Sequence, residues 1–327
     1  MSKKILLSVV IGLTVVAALG FAGRAFSSNA GAGSRAIAQT EMTGDWTASL
    51  STTHGKASGK ENDAEKNDDA GKLHLSFERR SERSGRHQMG QSYDFTDLQG
   101  LSREQVLGGG AVKFTLVREA GRIDCEGSFQ NGRGSGTFRF TGNPSFVSAM
   151  KSRGFDFEED SFTNNGRDSE DRLFAATTLN ITTALADDLS SAGFGKLHVE
   201  DLFKAAIFKI DSRFMREMKA SGFPNLGMEE LVKARIFKID ADFVSQATKV
   251  GFGKEPFESL VKMRIFKVTP EFVTEVRNEG LTDISVEDIV KLRIFKIDSE
   301  FIRQAKAEGV PLEVERLVQR RIGVARR

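Results

Sequence analysis

The segment RIFKIDADF at Arg235–Phe243 recurs as RIFKVTPEF at Arg264–Phe272 and as RIFKIDSEF at Arg293–Phe301. An earlier copy, IFKIDSRF, occupies Ile207–Phe214. The isoleucine of each IFK triplet lies 29 residues after that of the copy before it. A fixed step of this length is typical of architectures in which one supersecondary unit is repeated and stacked.

Other positions extend the same period in both directions. The recurring glycines are Gly193, Gly222, Gly251, Gly280 and Gly309, and the recurring apolar positions are Leu173, Leu202, Leu231, Leu260 and Ile289. A degenerate first copy is predicted at Leu173–Phe194, a half-unit at Asn143–Phe155, and a polar insert at about 156–168. A final partial unit follows Leu317, so the helical repeat domain is predicted over 143–327.

Each unit is predicted to be a pair of short helices. In one copy an apolar stripe begins at Phe257 with helical spacing and forms the first helix. Thr269 is predicted to cap the second helix with Pro270 at its first position, because a side-chain oxygen can accept an unpaired N–H there and proline lacks that donor. Gly280 suits the left-handed residue after the helix. Asp211, Asp240 and Asp298 take the capping place in the other units.

Apolar residues flank every cap in the pattern of a hydrophobic staple. The pairs are Ile210 with Met215, Ile239 with Val244, Val268 with Val273, and Ile297 with Ile302. A single hairpin has too little core to be stable, so neighbouring units must stack and share the faces that carry Phe214, Phe243, Phe272 and Phe301. The repeats therefore predict a short α-solenoid.

The segment from Trp46 to Phe140 has a different pattern, in which apolar residues alternate in short runs. REAG at Arg118–Gly121 and QNGRGSG at Gln130–Gly136 lie between such runs, and we interpret GRGSG as a turn. An antiparallel β sandwich or barrel is expected over 43–142, with 52–71 as a mobile polar loop. With the repeats this gives an α+β fold. Cys125 lies in one strand pattern and is predicted to be buried, since no activating base accompanies it.

The N-terminus predicts export. Lys3 and Lys4 precede an apolar run at Ile5–Ala22, which is typical of a signal peptide. The run also nears the length needed to span a bilayer, so 1–30 is either a cleaved signal or a retained membrane anchor, followed by a linker at 31–42. A periplasmic protein, or one anchored in the inner membrane with its bulk outside the cytoplasm, is expected either way.

The segments REAG, EGSFQNGRGSGTFRF and SFVSAMKSRGF, followed by tandem RIFKID units, resemble a bacterial envelope family. In that family similar regions stand alone or follow membrane metallopeptidases of the β-lactam-sensing type, commonly with a histidine-glycine pair where this chain has Phe-Lys. The resemblance covers 43–327 and implies an accessory or sensory interaction module. The peptidase motif H-E-x-x-H is absent from this chain, so the resemblance does not imply proteolysis.

Basic residues recur at the connection between the two helices of each unit. The candidate binding residues are Lys209, Lys238, Lys267 and Lys296 with Arg235, Arg264 and Arg293. In a stack they form rows that could bind an acidic protein face, an anionic envelope polymer or lipid headgroups. The alternative is a solvated edge that pairs with Glu230, Glu258 and Asp288, since charges on helices usually face solvent.

Two other function classes stay open with less support. Nucleic-acid binding through the hairpin turns is a runner-up, but the repeats are only modestly basic and lysine stands where a turn glycine is expected. A hydrolase in the β region is the other. Its candidate acids are Asp94, Asp97, Glu119, Asp124 and Glu126, in positions that usually form the wet face of a half-buried sheet.

No nucleophile, metal-site spacing or cofactor motif is recognised, so no catalytic, cofactor-binding or metal-binding residue is predicted. The expected function is a non-enzymatic interaction scaffold or sensory module of the bacterial envelope, with another envelope protein as partner. A ligand-binding or anionic-polymer-binding envelope protein is the alternative.

Overall fold

A computed structural model describes residues 41–50, 71–81, 85–158, 169–193 and 195–323. The predicted leader, nearly all of the predicted linker and polar loop, and most of the predicted insert lie outside these residues. A curled antiparallel sheet comes first and paired helices follow, so the predicted α+β architecture is confirmed. Of the two β forms left open, the structure has a single sheet curled into a half-barrel.

The sheet has seven strands in the order β3-β2-β1-β7-β6-β5-β4, all antiparallel to their neighbours. The strands are β1 Glu41–Leu50, β2 Leu73–Ser81, β3 Gly85–Tyr93, β4 Leu98–Gln99, β5 Gly110–Arg118, β6 Gly121–Gln130 and β7 Arg133–Gly142. Strand β1 begins at Glu41, two residues before the predicted start of the β region at 43.

One face of the sheet is apolar and the other is polar, because side chains alternate along each strand. Trp46 is buried on the apolar face, 5.3 Å from the ring of Phe114 and 5.6 Å from that of Phe129. Gly127 lies beneath it, where an added Cβ would come within 2.6 Å of the indole ring. This glycine therefore makes room for the large aromatic residue.

The turns between the last three strands are tight. Asn131 and Gly132 both have positive φ, 51° and 75°, as a two-residue hairpin of the Asn-Gly type requires. The interpretation of GRGSG as a turn is wrong beyond Gly132, because β7 begins at Arg133. The small residues of that segment serve close packing instead, since a Cβ on Gly134 would overlap the ring of Phe129.

Thirteen α-helices are described. They are α1 Arg103–Gly108, α2 Pro144–Lys151, α3 Ser169–Thr178, α4 Thr183–Ser191, α5 Val199–Phe208, α6 Ser212–Ala220, α7 Met228–Ile236, α8 Ala241–Lys249, α9 Phe257–Ile265, α10 Pro270–Asn278, α11 Val286–Ile294, α12 Ser299–Ala307 and α13 Val314–Arg321. A short 3-10 helix also occupies Phe95–Asp97. Helices α2 to α13 follow the predicted repeat, with α2 as the half-unit.

The caps agree with the sequence pattern. Asp211, Asp240 and Asp298 each accept the N–H of the phenylalanine three residues on, as does the Thr269 hydroxyl. All eight staple residues are buried. At the end of α10, the N–H groups of Gly280 and Leu281 donate to the carbonyls of Arg277 and Val276, which is the predicted Schellman geometry.

The hairpins stack in two layers. First helices pack on first helices, as α5 does on α7 and α9 on α11, whereas second helices pack on second helices, as α2 does on α4 and α4 on α6. The last unit is one residue shorter, so Arg321 and Ile322 stand 28 residues after their counterparts Arg293 and Ile294. The guanidinium groups of Arg320 and Arg321 cover the ring of Phe301 at 4.6 and 5.0 Å, which gives the stack a polar end.

Helix α3 joins the two regions. It is the first helix of the first repeat, yet it contacts both β3 and β6, which are far apart in strand order, so the sheet must curl around it. Phe174 lies 5.3 Å from the rings of Phe138 and Phe140. Every residue from Arg172 to Thr178 is buried. The half-barrel and the solenoid consequently share one core.

Candidate functional site

The most regular exposed feature lies where each first helix meets its second helix. Lys209, Lys238, Lys267 and Lys296 are all exposed there. Two positions before each lysine is an exposed isoleucine: Ile207 at 55%, Ile236 at 42%, Ile265 at 44% and Ile294 at 38% relative exposure. We name these eight residues the Ile-Lys edge. Scattered apolar side chains are normal on a surface, whereas these four occur at one repeated position of the stack.

The backbone explains why a lysine at this place is unusual. All four lysines have φ of 52°, in the left-handed region. At the end of α9, the N–H groups of Lys267 and Val268 donate to the carbonyls of Arg264 and Met263, so the lysine occupies the left-handed position of a Schellman motif. Glycine adopts this conformation without steric cost, but a residue with a Cβ does not.

The first repeat has a different residue at the same left-handed position. Asn180 stands 29 residues before Lys209 and has φ of 54°, so it occupies the equivalent position. Asparagine tolerates the left-handed region better than lysine, because its short side chain hydrogen-bonds locally. Lysine thus occupies this position in the four units after the first, where asparagine would satisfy the same backbone geometry.

Arg235, Arg264 and Arg293, which the sequence grouped with the lysines, have a different role. Each guanidinium stacks on a phenylalanine of the preceding unit, at 3.8 Å from the Phe214 centroid for Arg235, and at 3.9 and 4.5 Å for the other two. Each also donates to the carbonyl of the preceding left-handed lysine, at 2.6, 2.6 and 2.7 Å. The predicted row is thus two structures, an exposed lysine row and an arginine clamp between units.

The clamp is partly withdrawn from solvent. Burial lowers the pKa of the Arg264 guanidinium, and Asp240 opposes that shift. Arginine stays protonated in proteins even so, which suits a role in stacking and carbonyl binding. These arginines therefore hold consecutive hairpins in register, because each guanidinium contacts the ring and the carbonyl of the preceding unit.

A second ladder of charges was missed by sequence reasoning. Lysines of the first helices bond glutamates of the next first helix: Lys204 to Glu229 at 2.5 Å, Lys233 to Glu258 at 2.5 Å, Lys262 to Glu287 at 3.0 Å and Lys291 to Glu315 at 3.7 Å. The hydrogen bond to Glu258 raises the pKa of Lys233. The lysines recur every 29 residues, and so do Glu229, Glu258 and Glu287, so this shared period could have predicted ion pairs between neighbouring units.

The carboxylates proposed to neutralise the lysine row are used elsewhere. Glu258 belongs to the second ladder, and Glu230 accepts the N–H of Gly227 at 3.0 Å. Asp288 accepts the hydroxyl of Ser285 at 2.8 Å and lies 3.3 Å from Lys291. Other acidic groups do border the lysines. They are the exposed caps Asp211, Asp240 and Asp298 and the exposed first-turn residues Asp242, Glu271 and Glu300. The edge is cationic in its projecting row but mixed in overall charge.

The acidic candidates of the β region each have a structural partner. Asp94 pairs with Lys72, Asp97 with Arg118, Asp124 with Arg122 and Glu126 with Lys113, at 3.9, 2.8, 2.7 and 2.8 Å. The hydrogen bond from Arg122 lowers the pKa of Asp124. Glu119 accepts the N–H and hydroxyl of Thr183 at 2.8 and 2.9 Å, at the start of α4. Asp124 and Glu126 line one surface cleft together with Arg122 and Arg139.

Cys125 is 1% exposed, in the middle of β6. Burial raises the pKa of its thiol, and Asp124 adds to the rise. A thiol with a raised pKa is a poor nucleophile, because the thiolate is the reactive form. The residue fills the core of the half-barrel.

Across the described ranges, no cluster of three or more His, Cys, Asp and Glu side chains is arranged to hold a metal ion. None of the helices described in 41–323 combines the length and apolar character needed to cross a bilayer. No model of a known protein family matches the chain, and neither does any curated protein. The resemblance to the envelope family stays a prediction.

Proposed function

We propose that this protein is a non-enzymatic interaction scaffold of the bacterial envelope, and that the Ile-Lys edge is its docking surface. One observation carries the proposal: four stacked hairpins present the same isoleucine and the same left-handed lysine at the same place. Stacked repeats create extended surfaces of this kind, which bind partners through many equivalent contacts.

The contacts between units support a surface that keeps its shape. The arginine clamp and the Lys-Glu ladder both link each first helix to the next, from α5 through α13. Binding to a surface that is already ordered avoids part of the entropic cost of association. The partner is another envelope protein in this proposal.

Location outside the cytoplasm is part of the proposal and is supported by the sequence alone. Lys3, Lys4 and the apolar run at Ile5–Ala22 have the order of a signal peptide or an N-terminal anchor. Mass spectrometry of the N-terminus after expression in a bacterial host distinguishes a cleaved leader from a retained one. Protease accessibility in spheroplasts then reports whether the repeats are outside the cytoplasmic membrane.

The docking surface is tested by in-cell cross-linking and affinity capture. The test variant changes Lys209, Lys238, Lys267 and Lys296 to Glu. The control changes Lys219, Lys249, Lys254 and Lys306 to Glu, because these exposed lysines lie elsewhere on the solenoid and give the same change in charge. Circular dichroism first shows that both variants fold.

We expect the wild type and the control to capture the same envelope protein and the test variant to lose it. Capture by all three proteins would remove the Ile-Lys edge from the proposal. A specific hydrolytic activity that is lost on Glu119→Gln, with folding intact, would contradict the non-enzymatic assignment.

A further inference from the structure

A surface cleft of about 780 Å³ lies on the polar face of the half-barrel, over strands β1, β4, β5, β6 and β7. Phe114, Cys125 and Phe138 line it, and because their side chains are buried in the core they contribute main chain to its floor. The walls are polar and charged side chains. Sites for small ligands usually have volumes of about 300–1,000 Å³, so the cleft is large enough to hold one.

The charged groups of the cleft hold one another in place. Arg122 pairs with Asp124 at 2.7 Å and Lys113 pairs with Glu126 at 2.8 Å. The Thr115 hydroxyl also donates to Asp124 at 2.8 Å. Among the described residues, the charged ones that line the cleft are Asp45, Lys113, Arg122, Asp124, Glu126 and Arg139. Three of these are cationic and three are anionic, so their charges balance.

This balance favours an uncharged ligand. A phosphate would meet the carboxylates as well as the cations, and a polyamine would meet the cations as well as the carboxylates. Either ion must therefore compete with an ion pair that is already formed. A ligand with hydroxyl groups need not, because a paired carboxylate keeps free lone pairs and a paired guanidinium or ammonium keeps free N–H donors. Hydrogen bonds to charged groups are also stronger than those between neutral groups.

A peptide is the other uncharged ligand to compare. Binding of an extended peptide uses pockets for alternate side chains as well as main-chain hydrogen bonds. Among the described lining residues, the large apolar ones are Phe114, Cys125 and Phe138, each at most 3% exposed. The cleft therefore offers polar groups and main chain, which suit a saccharide with hydroxyl groups around its ring better than they suit apolar side chains.

We propose that the cleft on the half-barrel binds an uncharged saccharide. The proposal goes beyond the docking function, because the cleft and the Ile-Lys edge share no residue. Binding without cleavage is expected. A glycosidase needs one carboxyl group that stays protonated to act as an acid, whereas Asp124 and Glu126 are both paired with cations.

The test titrates the purified full chain with chitotetraose, cellotetraose and maltotetraose, and ligand-observed NMR gives the affinities. Inorganic phosphate and spermidine are the charged comparisons. Thr137→Met places a longer apolar side chain in the cleft and keeps every charged residue. Asp124→Asn combined with Glu126→Gln removes two anionic partners and leaves the cleft cationic. The control combines Asp94→Asn with Asp187→Asn, because these paired carboxylates are not part of the cleft.

We expect at least one of the three oligosaccharides to bind and to be recovered intact. Its affinity should fall by about tenfold or more in Thr137→Met and in the Asp124 and Glu126 double variant, and should be unchanged in the control. Phosphate should bind the double variant and not the wild type. Trp46 fluorescence and circular dichroism check the fold of each variant, since the Trp46 indole donates to the carbonyl of Glu126 at 3.2 Å.

Three results would overturn the proposal. They are no binding of any of the three oligosaccharides, tighter binding of phosphate or spermidine than of the oligosaccharides by the wild type, and saccharide binding that survives Thr137→Met in a folded protein. None of them affects the proposed docking surface, because partner capture is tested with variants of the edge lysines and these experiments leave those lysines unchanged.

Discussion

The first repeat and the later repeats share a backbone plan but differ in what surrounds them. Helix α3 is enclosed by the half-barrel and is buried from Arg172 to Thr178. Helices α5, α7, α9 and α11 each keep an exposed face, and their units carry the exposed isoleucine and lysine. The first unit has Asn180 in place of the left-handed lysine, and the next unit has Ala206 at the position of the clamp arginines.

The difference shows that the repeat motif contains separable parts. Caps, staples and glycines serve the fold and are found throughout the stack. The arginine clamp links consecutive units and occurs on α7, α9 and α11. The isoleucine and lysine side chains are the exposed part of the motif, and we propose them for binding.

The largest expected effect comes from Phe174→Ala. Phe174 lies within 5.7 Å of the rings of Phe77, Phe138 and Phe140, so its removal opens a cavity and should cost about 3–5 kcal/mol. Phe203→Ala changes the equivalent residue of the next unit, which is only half-buried, and should cost about 1–2 kcal/mol. Urea unfolding measures both.

Trp46 fluorescence follows the half-barrel and circular dichroism follows the helices in the same experiment, because Trp46 is the single tryptophan of the chain. A shared core predicts that both signals move together in Phe174→Ala. Two separate transitions, with only the fluorescence shifted, would contradict the continuity through α3.

A smaller loss is expected from breaking the arginine clamp. Arg264→Gln removes the stacking on Phe243 and the bond to the carbonyl of Lys238, and should cost about 1–2 kcal/mol. Arg264→Lys should restore little, because an ammonium lacks the planar fork. Arg213→Gln is the control, since Arg213 makes only an exposed pair with Glu217, and its effect on the urea midpoint should be much smaller.

Replacing a left-handed lysine should stabilise the fold. Lys238→Gly removes the Cβ from a residue with φ of 52° and should raise the free energy of unfolding by about 1 kcal/mol. Asn180→Gly changes the matching residue of the first unit and should gain only about a few tenths of a kcal/mol. Thermal unfolding followed by circular dichroism compares them; a loss of stability in Lys238→Gly would show that the side chain has a structural role.

The smallest effect concerns the pH dependence of the link between α4 and α6. Asp188 accepts the N–H and hydroxyl of Ser212 at 2.8 and 2.5 Å, and these bonds lower its pKa. A lowered pKa means that the stabilisation is present above the unfolded value of about 3.9 and is lost as the pH falls through the folded value.

Between pH 5 and pH 3 the wild type should therefore lose slightly more stability than Asp188→Asn. Urea midpoints at the two pH values give the comparison, with Asp187→Asn as an exposed neighbour whose carboxylate pairs instead with Arg153. Identical pH dependence in the wild type and Asp188→Asn would remove the assigned linkage.

Much of the solenoid could be predicted because its determinants are local. Caps such as Thr269, the staples and Gly280 act within one or two turns, and the period repeats them. The arginine clamp could not be predicted this way, because Arg235 reaches a backbone carbonyl 26 residues away and a charged helix residue normally faces solvent. The arginines and the phenylalanines recur with the same 29-residue step, and this shared period was the sequence feature that could have indicated the contact.

The enclosure of α3 was also missed. The stretch LFAATTLNITT at Leu173–Thr183 has no charged residue, which is unusual for the first helix of an exposed hairpin. Its small residues allow strands to approach, and the Thr177 hydroxyl donates to the carbonyl of Leu173 at 2.8 Å, so its burial leaves no unpaired group. The stretch is a degenerate copy of the repeat, as predicted, and its uncharged composition follows from packing inside the half-barrel.

The central claim is that the edge lysines are retained for binding at the expense of backbone stability. The most direct measurement is the stability and the partner capture of one variant in which Lys209, Lys238, Lys267 and Lys296 are all changed to Gly, beside a Lys→Arg variant that keeps the charge and the strain. We expect the glycine variant to melt at a higher temperature and to lose the partner, and the arginine variant to keep it. Capture that survives in the stabilised glycine variant would contradict the claim.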